Sequence, residues 1–172
     1  FTAQADAKIA SQSFVTPPTQ IDASANTDVT LRKTLHNNGG FGPVNVSITP
    51  GAVAPTGCTA TPSPTNPTSA SLAVSADVVV DEVWTLHCTE PSTHNFSFND
   101  SIAITDPHVS DPTPANNSAS TPLSLEVFAS ADAKITGQSL VSPPTEITQG
   151  VDTVVTLTKN LHNNGPAGPA NV

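Results

Sequence analysis

The sequence predicts an all-β protein whose domain is a seven-stranded antiparallel β-sandwich. Segments such as 28–35 and 95–104 carry an apolar side chain at every second position but one, which is the period of a half-buried strand. Turn residues separate these segments, and the 172 residues include 17 prolines, a pattern typical of sandwiches. No stretch shows apolar residues at the i, i+3, i+4, i+7 spacing of a helix.

The chain also repeats itself at the length of a whole domain. Residues 5–46 reappear at 131–172 with a constant offset of 126, and about 26 of the 42 aligned positions are identical. This period is longer than the 20–50 residues of a solenoid unit. We therefore expect a window cut from a longer tandem array, in which 1–2 are the tail of a preceding repeat. On this interpretation 3–128 form a complete domain and 129–172 the N-terminal third of the next.

The first three strands are expected at 5–14, 28–35 and 44–48, and each ends at a recognisable signal. Two consecutive prolines at 17 and 18 stop the first strand, since proline cannot donate a ladder hydrogen bond. The tetrapeptide His-Asn-Asn-Gly at 36–39 supplies the turn after the second, because Asn and Gly tolerate positive φ. The Pro/Thr/Ser-rich stretch 50–70 is expected to be a long loop, pinned through Cys58.

The other four strands are expected at 72–80, 82–88, 95–104 and 121–127. Their alternation directs the large apolar side chains inward, including Trp84, Leu86, Phe96, Phe98, Ile102 and Leu125. Only two or three residues separate the last strand of one repeat from the first strand of the next. A junction that short predicts neighbouring domains held at a nearly fixed angle, as in a rod or a helical array.

The charge balance excludes two classes of partner. Five Lys or Arg stand against 14 Asp or Glu, for a net charge of −9. Nucleic acid requires a basic patch, and an anionic membrane surface attracts polybasic segments. No apolar run has the length of a membrane span, and no signal peptide is visible. The expected partners are neighbouring repeats of the same protein in a homopolymeric array, with no nucleic acid and no membrane insertion.

The two cysteines, Cys58 and Cys88, fall within one repeat. An even count in a Ser/Thr/Pro-rich chain favours a disulfide and an oxidising compartment. The alternative is a pair of buried free thiols. We expect the disulfide, and with it an extracellular or cell-surface location.

Two short signatures carry a family resemblance. A Thr-rich strand that ends in Asn-Asn-Gly-Pro is followed by Pro-Ala-Asn-Val within 156–172, and Asp-Pro-Thr-Pro-Ala-Asn-Asn-Ser-Ala stands at 111–119. Together they resemble the Ig-like repeat modules of bacterial and archaeal surface proteins catalogued as domain of unknown function eleven, and the related cell-adhesion-associated bacterial modules. The resemblance covers nearly the whole repeat. It implies an Ig-like seven-stranded sandwich, extracellular display and a structural or adhesive role, and it brings no catalytic residues.

One departure from that family pattern concerns charged residues at inward positions. Lys33, and Lys159 in the second copy, occupy a position that the family keeps apolar, and Asp100 lies in phase with the inward residues of its strand. Three alternatives are open: a bulge or strand end lets each side chain reach water, or Lys33 and Asp100 form a buried ion pair, or an isopeptide bond joins them. The last reaction needs a neighbouring protonated carboxyl, for which Glu82 is the candidate.

Other polar residues are candidates for metal or catalytic sites. The acidic loop 106–111, with Asp77, Asp81 and Glu82, offers oxygen ligands for Ca²⁺ but lacks EF-hand spacing; solvated turns are the favoured interpretation. None of the five histidines has zinc-site spacing. His87 lies next to Cys88, so the two are a candidate Cys–His nucleophile, but a disulfide would leave Cys88 without a free thiol. We expect no catalytic residue, no enzyme activity and no cofactor.

Four Asn-x-Ser/Thr sequons are candidate glycosylation sites, centred on Asn45, Asn95, Asn99 and Asn116. The Thr/Ser/Pro stretch at 59–71 equally suits O-glycosylation.

The sequence as a whole predicts a structural repeat segment of an extracellular prokaryotic fibre, stalk or filament, with Ig-like domains stacked head to tail. Two other functions stay open. An adhesin stalk or binding module would contact carbohydrate or protein and carry a distinct tip domain. An accessory domain of a secreted hydrolase would have a flexible linker in place of the abrupt junction at 128–131.

Overall fold

The computed structural model describes residues 2–165 and divides the chain into two compact units, Phe1–Phe128 and Ala129–Val172. The strand expected from the Pro-Ala-Asn-Val signature at 169–172 lies outside the described residues, as does Phe1. No helix among residues 2–165 is both long enough and apolar enough to cross a bilayer.

The described part of unit 1 contains twelve strands and one short 3₁₀ helix. In chain order they are β1 (Ala3–Gln4), β2 (Ala7–Val15), β3 (Gln20–Asp22), β4 (Asn26–Asn37), β5 (Val44–Thr49), β6 (Ala52–Val53), β7 (Cys58–Pro62), β8 (Ser69–Leu72), β9 (Asp77–Cys88), β10 (Thr93–Ile104), β11 (Val109–Ser110), the 3₁₀ helix (Pro114–Asn116) and β12 (Ser118–Phe128).

Two sheets face each other in this unit. One has the order β2-β4-β9-β7, and the other has the order β3-β12-β10-β5-β8, with β6 also paired to β10. The seven strands of five or more residues occupy the seven positions of an immunoglobulin domain, four in the first sheet and three in the second. The predicted Ig-like seven-stranded β-sandwich is therefore confirmed.

The sequence predicts antiparallel pairing throughout, but two short strand pairs are parallel. The short strand β3 pairs in parallel with β12, from Gln20 opposite Glu126 to Asp22 opposite Phe128. Strands β1 and β11 also pair in parallel. Both exceptions are two or three residues long. Strand β3 follows the double proline at 17 and 18, where the chain leaves the first sheet and reaches the second only briefly.

The predicted loop at 50–70 and the predicted break between 80 and 82 are wrong. The loop region contributes β6, β7 and part of β8. Strand β7 lies at the edge of its sheet and ends at Pro62, where proline is tolerated. Strand β9 runs unbroken through Asp81, which points outward to Arg32. The break falls instead at Ser75, whose φ of 54° turns the chain between β8 and β9.

The space between the sheets is filled by two apolar clusters. The first surrounds Trp84, Phe96 and Phe98, and the Trp84 and Phe98 rings meet edge to face at 5.2 Å. The second surrounds Leu35, Val44 and other aliphatic side chains. On the three strands β4, β9 and β10, one charged residue separates a member of the first cluster from a member of the second. These residues are Lys33, Glu82 and Asp100.

Unit 2 contains the strands β13 (Ala133–Val141) and β14 (Thr156–Asn163). They pair antiparallel with a register shift after Ile135. Strands β2 and β4 pair with the same register and the same shift, 126 residues earlier, after Ile9. Ser142 has a φ of 46° and its counterpart Thr16 a φ of 47°. The sequence repeat is therefore also a repeat of backbone conformation.

The Asn-Asn-Gly signature closes the same turn in both units. In unit 1 the fully buried Asn37 accepts hydrogen bonds at Oδ1 from the backbone N–H groups of Asp6 (3.2 Å) and Gly39 (2.9 Å). In unit 2 Asn163 accepts from Asp132 (3.0 Å) and Gly165 (2.9 Å). The first asparagine therefore ties the end of one strand to the start of the other.

Candidate functional site: a buried lysine between two carboxyl groups

The structure places Lys33, Glu82 and Asp100 in the interior of the sandwich. Their exposed fractions are 0%, 0% and 1%. The alternative in which a bulge or strand end lets Lys33 and Asp100 reach water is therefore wrong. The reason is that the β4–β9 ladder and the β10–β12 ladder both run through these positions without a register shift, so alternation holds and each side chain must point inward.

Two sheets contribute to this cluster. Lys33 and Glu82 are diagonal neighbours in the first sheet, since Leu31 lies opposite Glu82 and Lys33 lies opposite Val80. Asp100 approaches from β10 in the facing sheet. Lys33 Nζ lies 3.0 Å from Asp100 Oδ2 and donates a hydrogen bond to Glu82 Oε1. The structure thus brings together all three residues singled out in the sequence.

The charges in the cluster do not balance if every group is ionised. One ammonium and two carboxylates would leave a net negative charge in an apolar interior, which is strongly unfavourable. Desolvation raises the pKa of Glu82 above its ordinary value of 4.5, and this effect outweighs the attraction of Lys33. Within residues 2–165, Glu82 Oε2 and Asp100 Oδ2 are both buried without a hydrogen-bond partner, although Asp100 Oδ2 lies within ion-pair distance of Lys33. Burial thus favours the protonated form of Glu82.

A fourth residue, Gly51, orients the carboxyl group of Asp100. Its backbone N–H donates to Asp100 Oδ1 at 3.1 Å, and its carbonyl accepts from Asn99 N at 2.7 Å. A Cβ at this position would lie 2.4 Å from the carbonyl oxygen of Asn99, so only glycine fits. Sequence reasoning missed Gly51, since a Pro-Gly pair after a strand signals a turn but not what its N–H binds.

The predicted cysteine pair is joined in the structure. Cys58 and Cys88 lie directly opposite each other on β7 and β9 and form a disulfide. The bond links two strands of one sheet, unlike the inter-sheet disulfide of antibody domains. His94 approaches both sulfur atoms to within 4.8 Å. While the sulfurs are bonded to each other, neither can serve as a thiolate ligand or nucleophile.

The acidic residues considered for Ca²⁺ are engaged with separate partners. Asp81 pairs bidentately with Arg32 on the surface, which lowers the pKa of Asp81. Asp77 contacts the ring of His36 at 2.6 Å, and Glu82 faces the interior. In the loop, Asp106 and Asp111 accept backbone hydrogen bonds, from Asn45 and Thr113 respectively. The described residues do not gather these acids into one site.

The four sequon asparagines differ in accessibility. Asn45, Asn95 and Asn99 are exposed on the outer face of the second sheet. Asn116 is partly buried in the 3₁₀ helix, and its Nδ2, the atom that would carry a glycan, donates to Asp6 Oδ1 at 2.9 Å. Asn45 and Asn99 also donate from Nδ2, in longer hydrogen bonds of 3.5 Å to Asp106 Oδ1 and to the Ser97 carbonyl oxygen, so a glycan at Asn116 would disturb the shortest and most buried of these contacts.

Comparisons with known proteins assign no family. No family model matches the chain, and no curated protein matches it. Among solved structures it is similar to native Escherichia coli alpha-2-macroglobulin, with 11% identity, a TM-score of 0.39, and coverage of 77% of this chain and 8% of that one. It is also similar to the secreted serine protease VesC of Vibrio cholerae, with 13% identity, a TM-score of 0.36, and coverage of 80% and 29%. The chain therefore spans less than a third of either protein.

Proposed function

We propose that this chain is a structural repeat segment of an extracellular prokaryotic fibre, stalk or filament, built from Ig-like modules of the surface-protein type that its signatures resemble. The observation that carries the proposal is the recurrence of one β-hairpin in both units, with identical register, identical bulge and the same turn-closing asparagine. Repetition at domain length is the basis of extended arrays, in which each domain supplies one increment of length.

The apolar face of unit 2 supports this proposal. Val29, Leu31 and Leu35 of unit 1 are 3%, 0% and 0% exposed, because the second sheet covers them. Their counterparts in unit 2 are 52%, 45% and 58% exposed; these are Val155, Leu157 and Leu161. A two-stranded hairpin with one bare apolar face is only marginally stable. The face is the one that further strands of an Ig-like domain cover, supplied by the same polypeptide or by a neighbouring copy.

The covalent and electrostatic features of unit 1 fit an exposed environment. A disulfide persists where the surroundings are oxidising, and the structure contains one between Cys58 and Cys88. Only five Lys or Arg in 172 residues give trypsin-like proteases few positions to cleave. Both features suit a protein displayed outside the cell.

Immunogold electron microscopy on the producing organism tests the proposal. Antibodies raised against the 172-residue chain should label surface appendages or extracellular material along their length, since every repeat presents the same epitopes. Label confined to a single tip would favour the adhesin alternative. Label that accompanies a soluble secreted hydrolase would favour the accessory-domain alternative, and label confined to the cytoplasm would refute all three.

A further inference from the structure

We propose that Lys33 and Asp100 are joined by an intramolecular isopeptide bond, formed by the protein itself with Glu82 as the catalytic proton carrier. The bond would link Nζ of Lys33 to Cγ of Asp100 and so connect the two sheets through the middle of the core. The inference rests on the burial and contacts of these three residues and does not depend on the proposed fibre.

Proximity is the first requirement, and the fold enforces it. Lys33 Nζ is already 3.0 Å from an oxygen of the Asp100 carboxyl group, while the two residues are held on the long strands β4 and β10. Effective molarities of reactants fixed in this way greatly exceed any concentration in solution. The nucleophile and the electrophile are therefore already within contact distance in the folded domain.

Exclusion of water is the second requirement. Amide formation from an amine and a carboxylic acid releases water, so the reaction is disfavoured in bulk water. Here Lys33 and Glu82 side chains are 0% exposed, and the cluster lies between the two apolar cores. A dry interior also disfavours the charged forms of the amine and acids relative to the neutral forms that react.

The reaction balances within the cluster. Lys33 transfers a proton from Nζ to the Asp100 carboxylate, which leaves a neutral amine, a neutral acid and the protonated Glu82. The Nζ lone pair attacks Cγ; Glu82 gives its proton to the departing Oδ2 and takes one from Nζ. The Cγ–Oδ2 bond breaks and one water leaves. The products are a secondary amide and a Glu82 that is again protonated.

The contacts assign a role to each carboxyl oxygen of Asp100. Oδ2 faces Lys33 and is the oxygen that departs. Oδ1 accepts the Gly51 N–H bond and becomes the amide oxygen. A backbone N–H aimed at that atom stabilises the negative charge that develops on it during attack. Gly51 thereby acts as a single oxyanion donor.

A simple ion pair explains the cluster less well. One lysine facing two buried carboxyl groups leaves one acid without a counter-charge, and buried ion pairs bring little net stability even when matched. An isopeptide bond removes the lysine and aspartate charges together and leaves only a neutral Glu82. The unmatched second carboxyl group is then a requirement of the reaction.

Intact mass spectrometry of the denatured chain, with its disulfide reduced, tests the proposal. The wild-type mass should be lower than the sequence mass by one water. Asp100→Asn should be lower by one ammonia, because the amide nitrogen then departs. Lys33→Arg should have its full sequence mass. A wild-type chain with its full sequence mass would overturn the proposal.

Variants and peptide mapping locate the bond and the catalyst. Glu82→Gln should retain its full mass while far-ultraviolet circular dichroism shows a folded sandwich; a folded Glu82→Gln that cross-links to the wild-type extent would overturn the role of Glu82. Tandem mass spectrometry should find one branched peptide containing Lys33 and Asp100, with trypsin unable to cleave after Lys33. A branch from Lys33 to Glu82 would refute the assignment. Lys159, the exposed counterpart in unit 2, is the internal control and should be cleaved.

Discussion

Reduction of the Cys58–Cys88 disulfide should destabilise unit 1 by an amount that follows from its loop length. The bond joins residues separated by 30 positions. In the chain-entropy relation, closing a loop of this length restricts the unfolded chain by about 3.6 kcal/mol at 25 °C. Because Cys58 and Cys88 are opposite neighbours in an existing ladder, the folded sheet keeps its hydrogen bonds when the bond is cut. The loss of stability should therefore come from the greater conformational freedom of the reduced chain in its unfolded state.

Urea unfolding followed by tryptophan fluorescence measures this difference directly. Trp84 is the single tryptophan and is 2% exposed in the core of unit 1, so its emission reports that unit alone. The oxidised chain should exceed the reduced chain by about 3–4 kcal/mol, and the Cys58→Ala/Cys88→Ala variant should match the reduced chain. A difference below about 1 kcal/mol would refute the loop-closure reasoning.

Three further predictions concern buried polar groups. Lys33→Met should lower the unfolding free energy by at least about 3 kcal/mol, because the link between the sheets is lost and Asp100 becomes a buried acid without a partner; Arg32→Met, at the adjacent exposed position, should barely move the urea midpoint. Asn37→Ala should cost about 2–3 kcal/mol by orphaning two backbone N–H groups, while Asn38→Ala, at an exposed position, should cost far less. The stability difference between the wild type and Glu82→Gln should be greatest at acid pH and fall as pH rises above 4.5 and through the raised pKa of Glu82. The cross-link, which Glu82→Gln lacks, adds a part to this difference that does not vary with pH. Urea titrations across pH measure this, and a rise with pH would contradict it.

Alternation along β4, β9, β10 and β12 predicted the inward positions correctly, whereas Val74, on the apolar face of the predicted 72–80 strand, is 42% exposed. Lys33 and Asp100 could be recognised as anomalies because each interrupts an apolar series of period two, and the structure buries both. What alternation could not provide is which strands face each other. The approach of Asp100 from the opposite sheet depends on sandwich topology, which local pattern does not encode.

The errors of prediction arise where tertiary contacts override local composition. The Pro/Thr/Ser-rich sequence at 50–70 predicts a loop. Its residues 58–62 instead form β7, which pairs with β9 along five residues. Because β7 is the edge strand of its sheet, it needs a hydrogen-bonding partner on one side only. The tetrapeptide at 36–39 predicts a turn that includes Asn37. Asn37 ends a strand instead, because its side chain supplies hydrogen bonds that a turn would otherwise leave unmade.

The short parallel pairing of β3 with β12 has a mechanical consequence. Ile21 lies opposite Val127, and hydrogen bonds run from Glu126 to Thr19 (3.0 Å) and from Ala23 to Phe128 (2.7 Å). One of these strands lies near the start of the domain and the other at its end, and they point the same way. Tension applied to the two ends of unit 1 therefore pulls these strands past each other along their length. All the rungs must then break together, whereas a ladder pulled open from one end yields one rung at a time.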